Sequence, residues 1–525
     1  MFSTRQFVAL AAILQAATQA SAQDLKEQVW AVFAYTLYGD RVPTALPRPN
    51  ILTPYGANTL YEAGSAFRDR YVAIHSTDVS PSTRIESIST YALEDEDLDI
   101  LSTTDPSVIA SAQAFMQGLY PPLNDTYDVQ YPDPSYLMAN GSFATAPMGG
   151  YQYPPIVTVS SDDPQSVVVA GQDNCFLHQI ANADYQASSE AQQMIQESDA
   201  LYNRLYIQAL SGDFDRSSVN YANSVAVSEF LEYQLLHNET LLHSVSQEDI
   251  RLARWYADQY TFSTNGNADS SLSSPIDSSA IRTIAGQTLA GSILDAFDTN
   301  VLYRGNSGKL TFVFGGYEPA VALTSLVQLA SPANGKFYGR PALGASLTFE
   351  LFSLENQSFP TYPDPSQLYV RFLLRNGTTS PEFQSYPLFG HSPSSIEVPY
   401  SEFKAEMKAF SLNSTQEWCL LCDSTSSTVF CPGVLDDEDD GPSSSAASSS
   451  GRKGISPAVG GVIGAIVTLV VVGLLAAAGF LLLGVRVQRG RRASLEEIKG
   501  GIDLGSESNL ALREHAAPPG KTARP

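Results

Sequence analysis

The apolar run VWAVFAY, Val29 to Tyr35, constrains this chain most: a short uncharged stretch rich in Val and aromatics reads as a buried β-strand. Gly39 then breaks the strand, so Asp40, Arg41 and Pro43 fall in a strand-end loop. Such loops are where α/β folds usually place their chemistry.

A chain of 525 residues can bury a large core, with roughly one to three domains as the expectation. Its formal charge of −25 argues against a nucleic-acid partner, because an acidic surface repels a phosphate backbone. The four cysteines, Cys175, Cys419, Cys422 and Cys431, suit two disulfides, with three pairings open. Cys419-Leu-Leu-Cys422 lacks the further close ligands that a metal site would need. The sequence has no metal-spaced cluster, no P-loop, no Gly-x-Ser-x-Gly and no internal repeat, so no metal or cofactor is expected.

Both ends of the chain read as targeting and anchoring segments. Residues 1–22 look like a secretory signal, with Arg5, an apolar stretch from Phe7 to Leu14 and the small-residue site Ala20-Ser-Ala22. Asp436 to Asp440 and the Ser-rich run after it, residues 436–457, read as an acidic stalk. Ala458 to Val485 is uncharged, apolar and long enough for one membrane span. Arg486, Arg489, Arg491 and Arg492 follow at once, which places the tail, residues 486–525, in the cytoplasm. The expected protein is therefore single-pass type I, with an extracellular or luminal ectodomain over residues 23–435. Sequons at Asn124, Asn140, Asn238, Asn356, Asn376 and Asn413 all precede the span, as glycosylation requires.

Within the ectodomain, Asn58 to Val72 reads as a helix with Arg68 and Arg70 near its end. Asp105 to Pro122 contains Val108-Ile-Ala-Ser111, and a helix-rich stretch runs from about Ala187 to Tyr260. Ser246 reads as an N-cap, and Ile281 to Phe297 as a long helix. A strand from Leu310 to Phe314 leads through Gly315-Gly316 to a helix near Pro319. Ala345 to Phe352 and Leu368 to Gly377 alternate as strands, with Asn376-Gly377 as a hairpin turn.

The loop, the Val-Ile-Ala-Ser segment and the Gly315-Gly316 loop together resemble the histidine acid phosphatases and phytases, in that family's order. The family signature is Arg-His-Gly-x-Arg-x-Pro, and here Gly39, Arg41 and Pro43 match it. Tyr38 stands at the nucleophilic His and Leu37 at the Arg before it. Ser107 replaces a phosphate-binding Arg, while Tyr317 and Glu318 occupy the family's His-Asp pair. The resemblance implies a three-layer α/β/α sandwich with a central mixed sheet, phosphoglycerate-mutase-like, and an inserted helical domain at about 120–280.

The family's chemistry needs a nucleophilic imidazole, arginines on the phosphoryl oxygens and an acid for the leaving group. Tyr38 offers instead a phenol of pKa about 10, whose phosphate ester would turn over slowly. The expectation is a catalytically degenerate ectodomain with a binding or sensing role and a small-molecule or surface ligand in the former phosphate cleft. The alternative is a residual or altered acid phosphatase acting on extracellular phosphate monoesters. A merely structural glycoprotein is a third reading. Asp40 beside Arg41 reads as a local ion pair. His75, His178, His237, His243 and His391 read as surface or packing residues rather than a substitute nucleophile.

Overall fold

β1 (Lys26–Leu37) runs through the middle of an eight-stranded sheet and sets the fold. The computed structural model describes residues 26–74, 83–123, 137–142, 144–267, 281–355, 361–378, 380–425 and 428–432. The signal, stalk, span and tail, together with His75, Asn124 and Asn356, lie outside the described residues. Among the described residues no helix is long and apolar enough to cross a membrane.

The other strands are β2 (Leu98–Thr103), β3 (Ile156–Val159), β4 (Leu310–Gly315), β5 (Ser346–Glu355), β6 (Leu368–Asn376), β7 (Ser380–Tyr386) and β8 (Glu397–Pro399). Their order is β3-β2-β4-β1-β5-β6-β7, with β8 also on β6. The β3, β2, β4 and β1 pairings are parallel, and those from β1 through β5, β6 and β7 are antiparallel. The sheet is therefore mixed. Register puts Leu37 of β1 opposite Gly315 of β4, so the loops leaving both strands open at one edge.

The helices are α1 (Pro54–Tyr71), α2 (Pro106–Leu119), α3 (Phe176–Ala187), α4 (Ser189–Leu205), α5 (Ser224–His237), α6 (Gln247–Asn265), α7 (Ile284–Leu302), α8 (Glu318–Leu326), α9 (Tyr400–Lys408) and α10 (Thr415–Leu421), with shorter turns between. Both faces of β1 are buried, which explains its near-continuous apolar sequence. Phe33, Tyr35 and Leu37 join a core with Ile293 and Phe297 of α7 and Phe403 of α9. Val32 and Ala34 face the other way, onto Leu60 and Phe67 of α1 and Phe115 of α2. Helices thus cover the sheet on two sides. α1 and α2 meet at glycines: a Cβ on Gly64 would lie 1.8 Å from the Phe115 carbonyl oxygen, and one on Gly118 2.0 Å from that of Tyr61. No other residue allows that approach.

A third core, built from Leu201, Tyr202, Leu205, Phe230 and Leu231, holds α4 and α5 together with α6. In the chain these helices lie between β3 and β4, within the stretch of about 120–280 where the resemblance implies a helical insertion. The β-branched run Ile156–Val159 pairs with β2 and belongs to the main sheet. α1 also starts earlier than Asn58, because the Thr53 side chain accepts from Gly56 N at 3.1 Å and caps a helix opening on Pro54. β6 is buried along nearly its whole length rather than alternating, since both its faces are covered.

The four cysteines form Cys175–Cys422 and Cys419–Cys431. They sit in a small core around Trp418, whose indole donates to the Gly171 carbonyl at 2.7 Å. Asn140, Asn238 and Asn413 are exposed, whereas Asn376 is half-buried and its side-chain oxygen accepts from Ala342 N at 2.9 Å.

Candidate functional site

The ends of β1 and β4, the start of α2 and one face of α5 converge on Tyr38. Gly39 is required there: a Cβ would fall 2.6 Å from Leu60 Cδ2 and 2.8 Å from the Gly56 carbonyl oxygen. Its N–H donates to Ser111 Oγ at 3.1 Å, tying the loop to α2. Tyr38 is 4% exposed, and the Arg41 guanidinium lies over its ring at 3.7 Å. That cation–π contact covers the face of the phenol. The Tyr38 hydroxyl donates to Glu229 Oε1 of α5 at 3.2 Å. Burial first, and then the Glu229 charge, push this phenol well above its ordinary pKa, against the opposing pull of Arg41. It is held as a neutral hydroxyl.

Arg41 is held through one nitrogen of its guanidinium. Its Nη1 lies 3.2 Å from Asp105 Oδ2 and 3.3 Å from Ser107 Oγ. Asp105 is the N-cap of α2, and its other oxygen accepts from the Ser107 backbone at 2.8 Å and hydroxyl at 2.7 Å. Ser107, which by resemblance stands where the family has an Arg, thus donates to the N-cap Asp105 and is buried at 0% exposure. Leu37 is buried in the sheet core and also borders the space beside Tyr38 and Arg41.

The local Asp40–Arg41 ion pair does not form, because the two side chains leave the loop in different directions. Asp40 Oδ2 meets His237 Nε2 at 2.7 Å and also accepts from the Thr53 hydroxyl. His237 ends α5 and stacks on Tyr233, with ring centroids 4.4 Å apart. His237 is exposed and packs on Tyr233, in keeping with a surface or packing residue, and its contact with Asp40 also ties α5 to the signature loop. His178 is buried between α3 and α6, His391 lies 3.4 Å from Glu402, and His243 is exposed.

Arg340 and Arg254 stand behind Tyr38 in a closed box. Arg340 Nε bonds Asp258 at 2.9 Å and its Nη2 bonds Ser228 at 3.0 Å; Arg254 reaches Glu232 at 3.0 Å and Asp258 at 3.2 Å. Each described arginine of the site therefore has a carboxylate partner. Glu229 accepts from Tyr38 and makes no ion pair with them, so a phosphate dianion would meet cations that already have carboxylate partners. The space against Tyr38, Pro43, Tyr233 and Arg340 amounts to about 30 Å³, enough for a water or two and no more. A wider cleft of about 480 Å³, lined by Tyr38, Arg41 and Glu229 as well, runs past Asp105 and Asp173 to Glu318.

Tyr317 and Glu318 open α8 at the end of β4, as the sequence places them. Burial, with Asp173 and Glu229 adding to it, raises the Glu318 carboxyl to about 7, while a backbone hydrogen bond and Arg41 oppose the rise. A proton donor therefore survives here without an imidazole to pair with. Glu229 and Tyr233 were not singled out from sequence, and His237 was read only as a surface or packing residue. Their i, i+4, i+8 spacing puts an acid, an aromatic and an imidazole on one face of α5, which was the available signal. Arg340 sits in an irregular stretch and left no pattern to read.

An α/β protein with its site at the carboxyl ends of parallel strands, under a helical insertion, is the class that this geometry defines. Residues 40–248 match the model of the histidine phosphatase superfamily (branch 2). The match takes in Arg41, Ser107 and α5, and ends before Tyr317 and Glu318. Among solved structures the chain is similar to the phytase of Klebsiella sp. ASR1 at 13% identity, with a TM-score of 0.49 over 74% of this chain and 98% of that one. The phytase of Citrobacter braakii is similar at 12% identity and a TM-score of 0.46, over 74% and 99%. A Bifidobacterium longum multiple inositol polyphosphate phosphatase, in complex with phosphate, is similar at 13% identity and a TM-score of 0.41, over 75% and 95%. No curated protein matches the chain.

Proposed function

We propose that this protein is a catalytically degenerate member of that superfamily, which binds a ligand at the outer face of a membrane instead of hydrolysing phosphate esters. The observation that carries the reading is Tyr38, capped by Arg41 and hydrogen-bonded to Glu229 where the family's nucleophile stands. A buried, protonated phenol is a poor nucleophile. The arginine that would hold phosphoryl oxygens is committed to Asp105. The signal at 1–22, the span at 458–485 and the sequons support a type I cell-surface or luminal glycoprotein, and the two disulfides suit an oxidising compartment.

The test is phosphate release by the purified full-length protein from an aryl phosphate and from phytate, between acidic and neutral pH, with Tyr38→Phe as the control. The expected result is no release above that control. Tyr38→His alone is expected to stay inactive as well, because Leu37 and Ser107 still supply no phosphate ligand. Release abolished by Tyr38→Phe would overturn the proposal. It would favour the second reading, a residual phosphomonoesterase with Glu318 as its acid, for which the carboxyl held near 7 is the supporting observation.

A further inference from the structure

We propose that the cleft between α3, α6 and the loop before α3 binds a neutral polyhydroxylated ligand, a sugar ring or a short neutral glycan. The cleft has a volume of about 500 Å³, within the usual range for small-molecule sites and ample for a disaccharide. Its lining is rich in carboxamides, with Gln172, Asn174, Gln179, Asn182 and Asn265 all contributing. Among the described residues no lysine or arginine lines it, and Asp173 and Glu318 are its only charged groups. A carboxamide both donates and accepts hydrogen bonds, and so does each hydroxyl of a sugar, which makes the two chemistries complementary. A phosphate ester would find no cation and two acids there.

A second observation points the same way. Two polar side-chain atoms of this wall are buried with no hydrogen-bond partner in the protein: Gln172 Oε1 and Asn182 Oδ1. His178 is 4% exposed and Asn265 6%, and the two lie against each other beside the Thr264 carbonyl. The amide nitrogens are already used: Asn182 Nδ2 lies 3.4 Å from His178 Nδ1, and Asn265 Nδ2 donates to Thr264 Oγ1 at 3.0 Å. What remains on the amides is accepting capacity, just beneath the cleft surface. Gln172 and Asn182 both line the cleft, so these two acceptors belong to its wall. Tyr260 and Tyr317 add aromatic surface for the apolar face of a sugar ring.

The inference rests on the binding reading of the protein, but its test does not depend on the absence of hydrolysis. Purified full-length protein is titrated by calorimetry with glucose, galactose, mannose, N-acetylglucosamine and β-linked glucose disaccharides, in parallel with glucose 6-phosphate and spermidine. At least one neutral saccharide is expected to bind, with affinity lowered about tenfold or more by Asn182→Ala or Gln172→Ala at an unchanged thermal midpoint. Glucose 6-phosphate is expected to bind more weakly than glucose. If Asn182→Ala does not fold, Gln172→Ala carries the comparison. Retention on neutral polysaccharide beads, released or not by free disaccharide, tells a free sugar from the end of a longer glycan. Binding of spermidine or the phosphorylated sugar alone, no binding of any neutral saccharide in either format, or equal binding by both variants would each overturn the inference. Phosphate release in the assay above would sink the proposed function and leave this result standing.

Discussion

At the scale of single residues, Tyr38 makes a packing contact on two sides: it supplies a face on which Arg41 rests and a hydroxyl that reaches α5. Glu318 shows the converse, a group whose environment opposes its charge. Its folded pKa of about 7 exceeds the ordinary 4.5, so the ionised carboxylate destabilises the folded state. The penalty is absent below about pH 4.5, grows as pH rises and is complete above about 7. Glu318→Gln should therefore stabilise the protein by about 1–2 kcal/mol at pH 8, a figure reduced for partial exposure, and by nothing at pH 4. Urea unfolding midpoints at the two pH values check this; a constant difference would mean that the carboxyl titrates normally.

At the scale of elements, the joint between α5 and the signature loop decides how the site is closed. Asp40, 3% exposed, is satisfied by Thr53 below and His237 above. A double-mutant cycle with Asp40→Asn and His237→Ala should give a coupling energy of about 0.5–2 kcal/mol in chemical denaturation. Independent, additive effects would show that the helix is held by its apolar face alone. The strand and loop at Val29 to Pro43 were legible because a buried strand followed by glycine is a local pattern, and Ser246 and Pro319 likewise announced their helices. Where Asp40 and Arg41 point was not legible. Adjacent residues at a strand end diverge, and their partners, His237 and Asp105, lie far along the chain. β3 was missed because Ile156–Val159 is too short to be told from loop without the strand beside it.

At the scale of the whole molecule, the disulfides close loops of very different length. Cys175–Cys422 spans a separation of 247 residues and Cys419–Cys431 one of 12. On chain-entropy grounds the long loop is worth about 5 kcal/mol and the short one about 3. Cys175→Ser with Cys422→Ser should therefore lower the thermal midpoint more than Cys419→Ser with Cys431→Ser, by differential scanning calorimetry under identical conditions. The reverse order would mean that local packing around Trp418, not loop closure, sets their contribution.

The same pair of bonds has a mechanical consequence. Tension applied to the chain beyond Cys431 passes covalently from Cys431 to Cys419, along α10 to Cys422 and across to Cys175. The antiparallel edge strands β5 to β8 lie inside the bridged loop, so a pull from that end cannot peel them off one at a time. The helical insertion from α3 onward lies inside the loop too, and whatever cleft it forms keeps its shape under load until a sulfur–sulfur bond is reduced.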